Sequence, residues 1–252
     1  VQQLSVELVM PQVAAWERQY GSVTRGLRKQ RKALKPRKII SFYTGLQHFT
    51  DKMHSLIKEK TKLLAKVQSI TFDNNEFYKY RIRYAVRNNS YLVKAKRVIC
   101  AVPAYVAADL LREADAAVAD SLDQIPYPAL WSLQVAFKKS DVPDLPAGFG
   151  FLIPAAENIP FLGVIFRSLV FPDFAPADQV LFTIFTGGAH QASLLQNADP
   201  VVLAGHIIQS LQKLLKIKEE PVFQQLKQWP RAIPQLNVEH HAIMKNIRSF
   251  EQ

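Results

Sequence analysis

Hydrophobic and polar positions alternate with two different periods along the chain. From Ser5 to Ser22 apolar residues recur at helical spacing, with a break near Pro11. A second helix is predicted after Gly45, because five apolar side chains share one face there: Leu46, Phe49, Met53, Leu56 and Ile57. An Ala-rich helix is expected over 104–122, and a longer amphipathic helix over 199–217.

Between these helices the period changes to two, which indicates strands. One group of predicted strands covers 66–72, 78–86 and 91–103, and a second covers 130–139, 148–154, 161–170 and 180–188. Strand groups of this kind, without strict alternation of strand and helix, are typical of antiparallel meanders. The chain is therefore predicted to be α+β, with a mixed or antiparallel sheet flanked by helices.

The second strand group is apolar at consecutive positions, as in "FGFLIP", "FLGVIF" and "VLFTIF". A sheet buried on both sides by helices would have this pattern. A sheet with one face lining a cavity for a large apolar ligand would have it too, and the spacing alone favours the first interpretation. In "GFGFLIP", Gly148 to Pro154, the two glycines indicate that some group approaches the backbone closely.

Composition limits the class of protein. The 252 residues are 48% hydrophobic and include one cysteine, Cys100, which is expected to be a small buried residue near a strand end. A single thiol excludes an intrachain disulfide and suggests a reducing, cytoplasmic compartment. No apolar run is long enough to span a membrane, and the first residues do not resemble a secretory signal. Because Val1 replaces an initiator Met, we expect a piece of a longer protein.

Positive charge is concentrated near the beginning of the chain. The net charge is +11, and Arg18 to Lys38 contains nine Lys or Arg residues and no acidic residue. A solvated basic segment is one interpretation, and peripheral contact with an anionic membrane surface is another. Nucleic acid is not expected as a partner, because no nucleic-acid-binding motif accompanies the charge.

The sequence lacks the motifs of most catalytic sites. It contains no Gly-rich dinucleotide fingerprint, P-loop, nucleophile elbow or zinc-binding helix, and its six histidines are scattered. We therefore assign no catalytic residue and no metal ligand from the sequence.

The order of several motifs resembles that of the oxygen-dependent protoporphyrinogen oxidases, within the wider flavin amine oxidase group. These motifs are "VICAVP" (98–103), "GFGFLIP", "FPDFAP" (171–176) and "WPRAIPQ" (229–235). The resemblance departs after "IPQ", where Leu236 and Glu239 replace the usual aromatic residue and glycine. It covers the central part of such an enzyme, without the Gly-rich flavin-binding segments of either end.

The resemblance implies FAD as the cofactor and a porphyrinogen as the substrate, oxidised with O2 in heme biosynthesis. It also implies four segments: 1–36 as the end of a helical, membrane-binding-like region, 37–103 as part of a discontinuous flavin-binding domain, 104–216 as the substrate-binding domain, and 217–252 as a return to the flavin-binding domain. Without its glycine fingerprint, the chain is expected to bind little FAD by itself. A homodimer is a further hypothesis.

Site residues follow from the same resemblance. Phe149, Gly150, Leu152, Ile165 and Phe185 are expected to border the porphyrinogen ring, and Val67 and Trp229 to contact the flavin. If this is right, Leu152, Ile165 and Phe185 should lie on one face of a sheet. Protoporphyrinogen IX is the expected substrate. The alternatives are coproporphyrinogen III, a non-catalytic tetrapyrrole-binding or interaction module without flavin, and another flavin amine oxidase such as a desaturase.

Overall fold

A computed structural model of the chain describes residues 4–30, 39–73, 75–143, 145–146 and 148–251. Contacts between residues divide the chain into two compact units. The first unit comprises the described parts of Val1–Ile39, His48–Pro126 and Gln235–Gln252, and the second comprises Ile40–Gln47 and Tyr127–Pro234.

The first unit begins with three helices: α1 (Val6–Val9), α2 (Pro11–Tyr20) and α3 (Val23–Gln30). The predicted break near Pro11 is confirmed, because Pro11 is the first residue of α2, where its missing N–H group is not needed. Gly21 ends α2 in the left-handed conformation, with φ of 65°. Residues 31–38 of the basic stretch lie outside the described residues.

Helix α4 (Gln47–Ile57) is followed by an antiparallel sheet of β1 (Ala65–Phe72), β2 (Tyr80–Val86) and β3 (Asn89–Ala95), in that order. This sheet confirms the first predicted strand group as far as Ala95. The prediction fails beyond that residue, since 96–103 forms no strand. Cys100 is exposed, so its predicted burial is wrong: among the described residues no strand pairs with 96–103 to cover it.

The Ala-rich segment forms two helices instead of the single predicted one, α5 (Ala104–Leu111) and α6 (Ala116–Asp123). Asp115 separates them, because its side-chain carboxylate accepts a hydrogen bond of 3.0 Å from the N–H of Val118. A side chain that caps a helix in this way favours a new helix start over continuation of the preceding helix.

The second unit contains a five-stranded sheet in the order β5-β6-β7-β4-β8. Its strands are β4 (Leu130–Lys138), β5 (Gly150–Leu152), β6 (Gly163–Phe166), β7 (Gln179–Gly187) and β8 (Phe223–Trp229), and all neighbours are antiparallel. The predicted α+β class is confirmed. The second strand group is confirmed except at 167–170, which was predicted as the end of a strand and instead forms a helical turn closed by a hydrogen bond of 2.9 Å from the Phe171 N–H to the Arg167 carbonyl oxygen. Strand β8 was not predicted. Helices α7 (Arg167–Val170), α8 (Ala192–Leu195) and α9 (Pro200–Leu215) accompany the sheet.

One face of this sheet, called here the closed face, packs into the hydrophobic core of the unit. Four aromatic rings cross it in sequence, Phe151, Phe166, Phe182 and Phe137, with successive centroids 5.9, 5.8 and 6.1 Å apart in edge-to-face contact. The same buried cluster includes α9 through Leu203, Ile207, Ile208 and Leu211. Asp199 fixes the start of α9 by accepting hydrogen bonds of 2.8 and 2.9 Å from the N–H groups of Val201 and Val202.

The contact-based units and the predicted domains have different boundaries. Residues 104–126, assigned to the substrate-binding domain, belong to the first unit, together with α10 (His240–Glu251). Residues 217–234, assigned to the flavin-binding domain, belong to the second unit, because β8 pairs with β4. The functional roles assigned to the four segments stay predictions.

Candidate functional site

An apolar concavity of about 550 Å³ lies on the other face of the five-stranded sheet, called here the open face. All five residues predicted to border the ring line it: Phe149, Gly150, Leu152, Ile165 and Phe185. Leu130 and Ile233 line it as well. Leu152 is 84% exposed and Phe149 is 56% exposed, so these apolar side chains are available to a ligand in this chain.

Strand register explains why these side chains come together. Gly150 lies opposite Ile165, Leu152 opposite Gly163, and Gly163 opposite Phe185. Because residues directly opposite each other point to the same face, Leu152, Ile165 and Phe185 share the open face, as expected. Their role in binding a substrate stays a prediction.

Gly163 also lines the concavity, although it was not predicted from the sequence as a site residue. It lies between Leu152 and Phe185 in the register. A Cβ atom added to Gly163 would come within 2.8 Å of Leu152 Cδ2, so its bare backbone leaves room for the Leu152 side chain. The rule applied to "GFGFLIP", that a glycine in an apolar strand marks a close approach, would have identified Gly163 in "FLGVIF".

The close approach predicted at Gly150 is made by the neighbouring strand. Gly150 has a φ of +152°, and a Cβ atom added there would lie 2.0 Å from the carbonyl oxygen of Val164. The missing side chain is thus required for pairing of β5 with β6. The role of Gly150 beside a substrate ring stays a prediction.

The two predicted flavin contacts lie in different units. Trp229 is in β8 opposite Leu130, on the open face, and is 48% exposed. Val67 is in β1 of the first unit, where a register shift between Val67 and Ser69 interrupts the pairing with β2. Both roles stay predictions.

The concavity contains no ionisable group that could act as an acid or a base. All of its lining side chains are apolar or glycine. Within the described part of the chain, no cluster of three or more His, Cys, Asp or Glu residues could hold a metal ion. The arrangement can therefore bind and desolvate a large apolar molecule, while a cofactor would have to supply redox chemistry.

Comparisons with known proteins agree with this geometry. Residues 2–249 match the family model of flavin containing amine oxidoreductases. Chloroplastic protoporphyrinogen oxidase from Oryza sativa subsp. japonica is 30% identical over 211 residues, which cover 80% of this chain and 39% of that protein. Coproporphyrinogen III oxidase from Bacillus subtilis (strain 168) is 22% identical over 256 residues, 98% of this chain and 53% of that protein.

A solved structure is similar over nearly the whole chain. It is that of a provisionally named protoporphyrinogen oxidase from Exiguobacterium sp. 255-15, with a TM-score of 0.76 and 20% identity, covering 98% of this chain and 51% of that one. The chain belongs to the flavin containing amine oxidoreductase family. FAD is the cofactor that this family implies. The chain spans about two fifths of the length of the rice relative.

Substitution of Gly150 tests the strand geometry that shapes the concavity. We expect Gly150→Ala to lower the free energy of unfolding by about 2 kcal/mol or more, because the added Cβ would collide with the Val164 carbonyl oxygen at a φ that disfavours side chains. Urea denaturation followed by circular dichroism measures this difference.

Gly205→Ala is the matched control, since Gly205 lies within α9 and an added Cβ there meets no atom within 4 Å. We expect this variant to gain up to about 1 kcal/mol, because alanine favours a helix interior over glycine. Equal stability of Gly150→Ala and the unmodified chain would contradict the described pairing of β5 and β6.

Proposed function

We propose that this chain forms the tetrapyrrole-binding part of an FAD-dependent porphyrinogen oxidase, which oxidises protoporphyrinogen IX to protoporphyrin IX with O2 in heme biosynthesis. The observation that carries the proposal is the convergence of Leu152, Ile165 and Phe185 on one open apolar concavity. The rice protoporphyrinogen oxidase and the Bacillus subtilis coproporphyrinogen III oxidase support a porphyrinogen as the substrate class.

The chain's own contribution would be binding and exclusion of water. A tetrapyrrole is broad and apolar on both faces, and burying apolar surface contributes about 25 cal/mol per Å². Phe185 offers a ring for stacking, while Leu152 and Ile165 offer aliphatic contact beside it. FAD, when bound, would supply the hydride acceptor for the reaction.

The described residues do not fit a complete FAD site. They contain no Gly-x-Gly-x-x-Gly turn leading from a strand into a helix, which is the structure that holds a dinucleotide pyrophosphate. A complete FAD site would therefore need residues beyond those described here.

Two alternatives have support of their own. Coproporphyrinogen III is favoured as the substrate by the Bacillus subtilis relative, whose match covers 98% of this chain. A tetrapyrrole-binding module without flavin is favoured by the missing glycine fingerprint.

Titration with porphyrins, the oxidised forms of the porphyrinogens, tests the proposed site. We expect the chain to bind protoporphyrin IX, detected by a shift of its Soret absorbance, and Phe185→Ala to weaken binding about tenfold, because a large apolar contact is lost. Phe77→Ala is the control, since Phe77 is exposed and lies in the first unit.

The outcomes distinguish the candidates. Tighter binding of coproporphyrin III than of protoporphyrin IX would favour the coproporphyrinogen alternative. Equal weakening by Phe185→Ala and Phe77→Ala, or no binding by the unmodified chain, would contradict a tetrapyrrole site on the open face. Recovery of bound FAD together with bound porphyrin would contradict the binding module without flavin.

FAD retention is a separate prediction. We expect this chain by itself to retain little FAD, because it lacks the Gly-rich turn and helix N-terminus that hold the pyrophosphate. Gel filtration after incubation with FAD, read at the flavin absorbance, measures the bound fraction. One FAD recovered per chain would refute this expectation.

The basic stretch is proposed to attach the protein to the cytoplasmic face of a membrane. None of the helices in the described ranges is long and apolar enough to cross a bilayer. Within the described part of the stretch, Arg18 pairs with Glu7 at 2.6 Å. Helix α3 adds Arg25, Arg28 and Lys29, of which Arg25 donates to the Tyr20 carbonyl oxygen and Lys29 lies 5.1 Å from the centroid of the Tyr20 ring. A homodimer is a further proposal, which sedimentation analysis would test.

Vesicle binding tests the proposed attachment. We expect the chain to bind vesicles that contain phosphatidylserine and to dissociate as salt rises, since each basic residue near such a surface contributes about 1 kcal/mol and salt screens it. Replacement of Arg25, Arg28 and Lys29 by Gln should reduce binding. Equal binding to neutral phosphatidylcholine vesicles would contradict the proposal.

A further inference from the structure

A straight row of residues crosses all five strands on the open face. Leu152 lies opposite Gly163, Gly163 opposite Phe185, Phe185 opposite Ser132, and Ser132 opposite Lys227. Because opposite residues in an antiparallel sheet point to the same face, the row runs from an aliphatic side chain to a cation. Along this row the open face is therefore apolar at one end and positively charged at the other.

The positive charge at the end of this row has no acidic residue to neutralise it within the five strands. In the five strands, all of whose residues the structure describes, there is no aspartate or glutamate. Two lysines belong to the open face, Lys227 and Lys138. Lys138 lies six residues along β4 from Ser132, which is about 20 Å at the usual rise per residue, so Lys227 is the nearer of the two strand lysines to the concavity.

Trp229 orients Lys227. The ammonium Nζ of Lys227 lies 5.2 Å from the centroid of the Trp229 ring, two residues along the same strand and on the same face. A cation over an aromatic face is attracted to the ring electrons, so the long side chain has a preferred position. Both side chains are exposed to solvent, and the ammonium remains available to an anion.

We propose that Lys227 binds a carboxylate of the substrate while the apolar end of the row binds its ring, so that the open face recognises an amphiphilic tetrapyrrole in one orientation. This inference rests on the proposed function. Phe185 and Lys227 are two strand spacings apart, about 10 Å. A tetrapyrrole stacked on Phe185 would extend its side-chain carboxylate toward Lys227, and the flexible lysine side chain can cover the remaining distance.

The same row bears on the choice of substrate. Protoporphyrinogen IX has its two carboxylates on one edge, so its remaining edges can lie over Leu152, Ile165 and Phe185 without placing a charge there. Coproporphyrinogen III has a carboxylate on every pyrrole ring and would direct some of them toward the apolar end. Since a carboxylate loses hydration in apolar surroundings, the row favours a substrate with carboxylates on one edge.

Comparison of protoporphyrin IX with its dimethyl ester isolates the contribution of the charge. Binding of each compound is measured with the unmodified chain, Lys227→Gln and Lys227→Arg. We expect the unmodified chain to bind the acid about fivefold more tightly than the ester at low salt, the range of an exposed ion pair, and Lys227→Gln to abolish that preference. Lys227→Arg should restore it.

Two further variants make the result interpretable. Lys218→Gln removes an exposed positive charge from the same unit, outside the sheet, and should leave the preference for the acid unchanged. Phe185→Ala should weaken binding of acid and ester equally, because it removes ring contact and no charge.

If Phe185→Ala weakens binding while Lys227→Gln keeps the preference for the acid, the proposal for Lys227 is wrong and the proposed function stands. If Phe185→Ala changes neither compound's affinity, the proposed function itself fails. If Lys218→Gln loses the preference for the acid as fully as Lys227→Gln does, the preference depends only on the net charge of the protein. That result would also overturn the proposal.

Discussion

Packing of α9 against the closed face is the interaction on which the proposed site depends. A twisted sheet has two faces, and the buried cluster around Phe137, Phe166 and Phe182 fixes which of them enters the core. Each such side chain contributes about 1.5–3 kcal/mol when fully buried. Because side chains alternate, fixing this face also fixes the opposite set, which includes Ile165, Phe185 and Lys227.

In the five-stranded sheet, residues that stabilise the core therefore alternate with residues that face the proposed ligand. Phe166 and Ile184 are buried in the core. Ile165, next to Phe166 along β6, and Phe185, next to Ile184 along β7, line the concavity. A one-residue shift of β6 would exchange these two sets, so register is a functional constraint as well as a structural one. The bare backbone of Gly150, close to the Val164 carbonyl, helps to maintain that register.

Much of this fold could be predicted from periodicity, and the failures have physical causes. The strands around "FGFLIP", "FLGVIF" and "VLFTIF" were predicted because their residues are apolar and bounded by turns. Strand β8 was missed because "FQQLKQW" is mostly polar, and its position depends on pairing with β4, which is distant in sequence. Lys227 was missed as a consequence, since only a strand assignment places it on the same face as Trp229.

Burial was harder to predict than secondary structure. The apolar face predicted for α4 exists, yet its members, among them Leu56, are exposed, as is Cys100. Periodicity shows which side chains share a face, but it does not show whether another segment covers that face. The site residues came from the resemblance to a family, and the strand register then gave a physical reason for four of them to lie together, Gly150, Leu152, Ile165 and Phe185.

The most direct test of this account compares two isoleucine methyl groups on opposite faces of the sheet. Ile165 lines the concavity, and Ile184, on the adjacent strand, is 0% exposed in the core. In methyl NMR spectra, addition of protoporphyrin IX should shift the Ile165 δ1 methyl signal strongly, through the ring current of the macrocycle, and leave Ile184 nearly unchanged. An Ile184 shift as large as that of Ile165, or no Ile165 shift at saturating porphyrin, would contradict a tetrapyrrole site on the open face.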